Sequence, residues 1–270
     1  MSSLREIFDL QGGGVVSLVG GGGKTTFMFR LAREIASSGE SVLTTTTTKI
    51  LMPRENQSSQ VIILPCAADV LEQAKLLLSS GQRHLTAAGA YIPSQNKLTG
   101  FDAGDIGKLH ESGLFPWILV EADGAGHRPL KAPATHEPVI PPCSRWVIAV
   151  AGLDAVGQPL TEDWVFRSRL FADITGLSPG AKITEKSVAA ALSHEAGIMK
   201  GCPPGALKYI FLNKAETKER KEAGRAIVLF LRKQIGIRPD RVIIGAVKRG
   251  LETFEWYNLS GETEDTCNYL

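Results

Sequence analysis

Short apolar runs alternate along this chain with longer stretches whose apolar positions recur every three to four residues, a pattern that predicts successive β-α units. Val15 to Val19 is a β-branched run suited to a buried strand. From Lys24 the spacing of Phe27, Leu31, Ala32 and Ile35 turns helical, and Ser37-Ser38-Gly39 ends it. Ser41 to Thr45 resumes as a strand, so the first two strands pair in parallel through a right-handed crossover. Val61 to Leu64 predicts a further strand, and Ala67 to Leu78 a helix with Val70, Leu71, Ala74, Leu77 and Leu78 on one side. Between Gly81 and Gly107 the apolar stretches Leu85 to Ala88 and Ala90 to Ile92 are broken by Gly, Pro, Asn and Ser, which predicts a small antiparallel insertion. A brief helix then ends near Ser112-Gly113. Trp117 to Val120, Trp146 to Val150, Leu207 to Leu212 and Val242 to Gly245 read as strands. Arg167 to Thr175, a segment N-capped by Thr184, and a long stretch reaching Gln234 read as helices. Together they predict one α/β domain over residues 1–250, built on a mostly parallel, doubly wound sheet with the insertion at about 81–107. Residues 251–270 are expected to be a tail, frayed over the polar, acidic stretch Ser260 to Thr266.

The junction between the first strand and the first helix carries Gly20-Gly-Gly-Gly-Lys-Thr-Thr26. Residues without a Cβ can turn their amides inward around anionic oxygens, and the helix N-terminus adds unpaired N–H groups and a positive dipole end. Gly20, Gly21, Gly22, Gly23 and Thr26 are therefore expected to form a phosphate cradle. Lys24, taken as an exposed loop lysine, would meet the terminal phosphates of ATP or GTP, and the Thr25 hydroxyl would complete a Mg²⁺ shell. The usual pattern G-x-x-x-x-G-K-[ST] requires a glycine where this chain has Leu18. What remains is a shorter G-x-x-G-K-T-T, which resembles the tight phosphate loops of Mur-type ligases and the G-K-T-T end of dimerising P-loop ATPases and GTPases. The fold expected is of the P-loop NTPase type.

Three further segments carry candidate chemistry. Thr44 to Thr48 and Lys49 lie at the carboxyl end of the second strand, where ligands of doubly wound sheets bind, so one of these threonines, for which Thr47 stands, is expected near the metal or γ-phosphate. The strand Trp117 to Val120 delivers Glu121 and Asp123 at its end, as a Mg²⁺-nucleotide site requires, and Asp123-Gly-Ala-Gly126 fits the D-x-x-G pattern of GTPases. The proline-rich run after it, Gly126 to Pro142, cannot form a regular element, and Arg128 and Lys131 hang from it as cations for a phosphate or an anionic substrate. Asn213-Lys214-Ala-Glu216 stands where GTPases carry N-K-x-D, with Glu216 in place of the aspartate that takes two donors from guanine. Arg167 and Arg169 read as surface charges.

Thirty basic against 28 acidic side chains leave a net charge of +2, so composition gives no support to binding nucleic acid by bulk charge. Cys66, Cys143, Cys202 and Cys267 form no C-x-x-C pair, which argues against a zinc site or a disulfide framework. The segment Met1 to Gln11 lacks the apolar core of a signal peptide, and no apolar run approaches the ~20 residues of a membrane span. A cytoplasmic protein without a membrane partner is expected. Oligomeric state is not legible.

Taken together, Gly20 to Thr26, Thr44 to Lys49, Val120-Glu-Ala-Asp-Gly124, Arg128-Pro-Leu-Lys-Ala-Pro133, Gly152-Leu-Asp154 and Leu212-Asn-Lys214 resemble the YqeC family, over about Gly14 to Gly250. The Glu-Ala-Asp-Gly and Arg-Pro-Leu-Lys-Ala-Pro runs are the most distinctive part. The resemblance implies an accessory factor of selenium-dependent molybdenum hydroxylases, with a hydroxylase or its cofactor as partner. Two functions are open: an NTPase or phosphoryl-transfer protein that drives maturation of that enzyme, or a nucleotide-gated binding module with negligible hydrolysis.

Overall fold

The computed structural model describes residues 3–250, 254–259 and 268–269. A short helix α1 (Leu4–Ile7) precedes β1 (Gly14–Gly20) and α2 (Lys24–Ser37). There follow β2 (Val42–Thr46), β3 (Lys49–Leu51), β4 (Val61–Ile63), α3 (Ala67–Ser79), β5 (His84–Ala88), β6 (Ala90–Ile92), β7 (Lys97–Thr99) and α4 (Ala103–Glu111). The next elements are β8 (Trp117–Glu121), β9 (Leu130–Lys131), β10 (Ser144–Gly152), β11 (Val165–Phe166), α5 (Ser168–Thr175) and α6 (Glu185–Ser193). β12 (Leu207–Asn213), α7 (Lys218–Leu231), β13 (Arg241–Ile244), β14 (Glu255–Asn258) and β15 (Asn268–Tyr269) complete the order.

Ten strands form the main sheet, in the order β15-β14-β13-β12-β10-β1-β8-β2-β5-β4. All neighbours from β13 to β4 run parallel, and β14 and β15 add antiparallel strands at one edge. Alternation along each strand decides which side chain faces which layer. Val16 and Leu18 of β1, with Trp146, Ile148 and Val150 of β10, pack under α1 and α2. Val19, Val147, Ala149 and Ala151 face the layer built by α5, α6 and α7, and Ile118 and Val120 of β8 pack with α3 and α4. Both faces are covered, which is why the central strands are fully buried rather than alternating with solvent. Under α2 an aromatic group ties the layer together: Phe8 lies 4.7 Å from Phe27 and 5.3 Å from Phe211, and Phe211 stacks on Phe254 at 5.7 Å.

The expected small antiparallel sheet is present, as β3-β7-β6. It draws in Lys49–Leu51, which sequence spacing did not assign to it, while Leu85–Ala88 belongs instead to β5 of the main sheet, parallel to β2 and β4. The reason is burial: Leu85, Ala87 and Ala88 are fully enclosed and need a neighbour on each side. Glu255–Asn258 likewise joins the sheet beside β13 and is not tail. The stretch Ser260 to Thr266 and Cys267 lie outside the described residues. Thr184 caps α6 as expected, accepting from the Ser187 amide at 3.2 Å.

Candidate functional site

β1 ends in the glycine loop, and the loop is closed upon the protein. The Gly20 N–H donates to both carboxylate oxygens of Asp123, at 3.1 and 3.0 Å. The Gly21 N–H donates to the Val150 carbonyl at 2.9 Å and the Gly22 N–H to the Arg128 carbonyl at 3.0 Å. A Cβ at Gly21 would meet the Arg128 carbonyl at 2.6 Å, and one at Gly22, where φ is +77°, would meet the Gly152 nitrogen at 2.3 Å. Only glycine fits these two positions. Three of the amides expected to cradle phosphate are thus engaged internally. What stays open is the start of α2: Gly23 supplies no side-chain cap and the first turn holds no acid, so the first-turn amides of Lys24, Thr25 and Thr26 are those left for an anion.

Lys24 is not an exposed loop lysine; it is 4% exposed. Parallel pairing of β1 with β8 sets Leu18 beside Glu121, which brings the end of β8 under the loop. The Lys24 ammonium turns back onto the Gly20 carbonyl, lies 3.0 Å from Asp123 Oδ1 and 3.6 Å from Glu121 Oε1. Burial would depress its pKa, yet Asp123 and Glu121 hold it above the ordinary lysine value. Asp123 Oδ2 faces Lys131 Nζ at 3.1 Å, Lys131 reaches Glu137 at 2.6 Å, and Glu137 pairs with Arg167 at 2.5 Å. Six side chains of alternating sign therefore run from Glu121 to Arg167. Burial works against the Glu137 carboxylate, but hydrogen bonds from Arg167 and Lys131 hold its pKa down at about 2. Asp123 is wholly buried and both its oxygens are engaged, so it serves as the hub of this network.

Glu121 differs. Burial raises its carboxyl above the usual carboxylate range, against the pull of Lys24 and of a hydrogen bond from Thr25. That bond, Thr25 Oγ1 to Glu121 Oε2 at 2.7 Å, joins the hydroxyl and the carboxylate expected to hold a metal. An oxygen-only pair suits Mg²⁺, which is usually bound through one or two protein groups plus substrate phosphates and water. Among the described residues no group of three or more His, Cys, Asp or Glu suited to a metal is found, so a closed all-protein cage is absent there. Thr47 does not join this pair: its hydroxyl donates to the Val139 carbonyl at 2.7 Å. Thr46, its neighbour, donates to the Glu121 carbonyl at 2.6 Å and fixes that strand end.

The basic loop behaves differently from its sequence reading. Lys131 is held in the two-residue strand β9, paired with β11, and its ammonium is fully buried against Asp123 and Glu137. The Arg128 guanidinium turns outward, donating to the carbonyls of Glu162 (2.8 Å) and Gly126 (2.5 Å). It is the backbone of Arg128 and Pro129 that touches the site, through the Gly22 and Gly152 amides.

Beyond β12, Asn213 is 2% exposed and both ends of its amide are engaged: Nδ2 donates to the Gly22 carbonyl at 2.8 Å, and Oδ1 accepts from the Val247 amide at 3.1 Å. The side chain braces the loop. Lys214, in the left-handed region at φ +65°, pairs with Asp154 at 2.7 Å, and Glu216 pairs with Arg220 at 3.0 Å one helical turn on. Sequence reading gave no role to Glu137, Arg167 or Asp154. Arg167 read as a surface charge because a lone arginine usually is one, and Glu137 is hidden among prolines. Asp154 had a usable signal, since it follows an apolar strand just as Glu121 and Asp123 do.

Two comparisons bear on this arrangement. A family model described as "YqeC protein" matches residues 16–169, which include the loop, Glu121 to Lys131, Glu137, Asp154 and Arg167 but not the Asn213 corner. A protein of Escherichia coli (strain K12) called "Uncharacterized protein YqeC" is 36% identical over 200 residues, covering 74% of this chain and 75% of that protein. Among the described residues no helix is long and apolar enough to cross a membrane.

Proposed function

The chain belongs to the YqeC family, and from that premise we propose that it binds a Mg²⁺-nucleoside triphosphate at the start of α2 and acts on its terminal phosphate as an NTPase or phosphoryl-transfer factor. The observation that carries the reading is the 2.7 Å contact of Thr25 Oγ1 with Glu121 at an uncapped helix start that follows a glycine loop. Thr25 and Glu121 would hold Mg²⁺, which supplies charge neutralisation on the phosphate oxygens. The first-turn amides of α2 receive phosphate oxygens. Lys24 moves from the carboxylates to the phosphates, and Lys131 keeps Asp123 paired when it leaves, so the hub carries no unpaired buried charge.

One observation favours a gated module with little hydrolysis: in the structure Lys24 and three loop amides are all engaged internally, so nucleotide must displace contacts before it is bound. The client we propose, a selenium-dependent molybdenum hydroxylase or its cofactor, rests on the family resemblance. Calorimetric titration with Mg-ATP and Mg-GTP, followed by phosphate-release assays, tests the reading. Binding that requires Mg²⁺ and weakens at least about tenfold in Thr25→Ala supports it. Failure of the wild-type protein to bind either nucleotide removes it. Binding without phosphate release, with or without client, selects the gated module.

A further inference from the structure

The corner beyond Gly22 holds a carboxylate with spare hydrogen-bonding capacity. Asp154 lies in a turn of 3-10 type, Leu153–Ala155, directly after β10. One of its oxygens takes Lys214 at 2.7 Å, whereas Oδ1 is buried and has no hydrogen-bond partner among the described residues. An unmet carboxylate oxygen costs a folded protein free energy unless a ligand supplies the donor. It lies against the loop, since a Cβ on Gly152 would be 2.5 Å from Asp154 Oδ1 and 3.3 Å from Gly22 Cα. The side chain as a whole is 19% exposed, and the oxygen that takes Lys214 keeps a second lone pair, so a ligand donor can meet the carboxylate there. Lys214, held at a positive φ that only a few per cent of non-glycine residues adopt, marks the same corner. Glu216, where the N-K-x-D pattern carries its acid, is occupied by Arg220.

Direction along the site decides what reaches this corner. If Thr25 and Glu121 hold Mg²⁺, on the β8 side of β1, the terminal phosphates belong on that side too, since their charge is what the ion would neutralise. The nucleoside end must then leave across Gly22 toward β10 and β12, where Asn213 is latched to the Gly22 carbonyl and Lys214 and Asp154 follow. We propose that Asp154 is the nucleoside-reading residue of this site, accepting a hydrogen bond from an N–H of the base or a hydroxyl of the ribose, with Lys214 beside it as the complementary donor. The proposal rests on the nucleotide reading above.

The test compares wild type, D154N and E216Q by calorimetric titration with Mg²⁺ and five probes: inorganic tripolyphosphate, which has no nucleoside, GTP, ATP, 2′-deoxy-GTP and XTP. D154N should lose roughly ten- to a hundredfold in affinity for the preferred nucleotide and leave tripolyphosphate unchanged, while E216Q behaves as wild type. A loss confined to one base assigns the donor to the base; a loss shared by both ribonucleotides and already present in wild type with the 2′-deoxy probe assigns it to the sugar. XTP, whose 2-oxo group accepts where guanine donates, should regain affinity in D154N when the donor is the guanine amino group, an exchange that mere loss of packing does not produce. The assignment is overturned if D154N binds every probe as wild type does, or loses tripolyphosphate and nucleotides equally. If wild type binds tripolyphosphate but no nucleotide, this assignment falls while the phosphate loop stands; if it binds none of the probes, the nucleotide reading itself falls.

Discussion

The two sides of the glycine loop are built on opposite principles. On the β8 side, Glu121, Lys24, Asp123, Lys131, Glu137 and Arg167 alternate in sign, and Asp123 is satisfied by Gly20 and two lysines with no exposure. On the β10 and β12 side, an amide brace at Asn213 is followed by a half-open pair, Lys214 with Asp154, that leaves one oxygen unmet. A buried charge without its partner is expensive, so the first side gives up a contact only to a ligand that replaces it, whereas the second has capacity to spare. Proximity to the loop therefore does not by itself make a carboxylate a ligand-binding one: Asp123 accepts directly from the Gly20 amide, yet it is the saturated member.

Removing one cation from each side should break the symmetry between them. Lys131→Met leaves Asp123 and Glu137 short of a partner in the interior and is expected to cost about 3–5 kcal/mol in urea unfolding, while Lys214→Met, at a partly exposed pair, should cost less than about 1 kcal/mol. Comparable losses would show that both pairs carry similar weight.

Acid should sharpen the contrast by separating the ionic side from the rest of the sheet. Burial and the charge of Arg33 push His84, which contacts Thr44 Oγ1 at 3.0 Å, down to a pKa of about 4. A histidine depressed in the folded state binds its proton more readily when unfolded, so stability falls as pH drops from about 6.5 to about 4, by up to about 3 kcal/mol. Glu137, held at about 2, contributes stability above about pH 4.5 that is lost as pH falls toward 2. Stability measured against pH should show the first loss flattened in His84→Gln and the second flattened in Glu137→Gln; a first loss that persists in His84→Gln would place its cause elsewhere.

Lys24→Met is expected to abolish tight Mg-nucleotide binding and, because the ammonium is buried against two carboxylates, to cost about 1–3 kcal/mol of stability as well. Unchanged binding would reduce the glycine loop to a turn. The smallest effect is expected at Arg128, whose guanidinium faces outward: Arg128→Ala should change nucleotide affinity less than about threefold and stability within about 0.5 kcal/mol. A large fall in turnover at unchanged affinity would instead return Arg128 to the groups that act on developing charge.

The main architecture was legible because the central strands are continuous apolar runs and α2 has strict helical spacing; their boundaries agree with the sequence pattern to within a residue or two. The insertion was misplaced at Leu85 to Ala88 because turn residues on both sides of a short apolar run do not say which sheet it joins. At the site, Thr25 in the first turn of α2 and Glu121 at the end of β8 were legible as residue types, and the structure brings them together. The ionic chain was not, since which cation meets which carboxylate depends on register between segments distant in sequence: Lys131 looked like an exposed loop charge until β9 paired with β11. Glu216 fitted a familiar spacing, yet the cheapest partner for an acid at the start of a helix is an arginine one turn on.

The aromatic group beneath α2 has a consequence for the order in which the molecule assembles. Phe27 packs on Phe211 at 5.4 Å and Phe211 on Phe254, so the floor under the helix that begins with Lys24 is made of side chains from opposite ends of the chain. Contacts of such long sequence separation form late, after loop-closure entropy has been met for nearly the whole polypeptide. The helix can wind early on its own propensity, but the seat that holds its first turn at a fixed distance from Glu121 is complete only when Phe254 arrives. A chain shortened after Gly250 should therefore keep most of its secondary structure, refold faster and hold the loop less firmly, the seat being missing while every residue of the loop is still there.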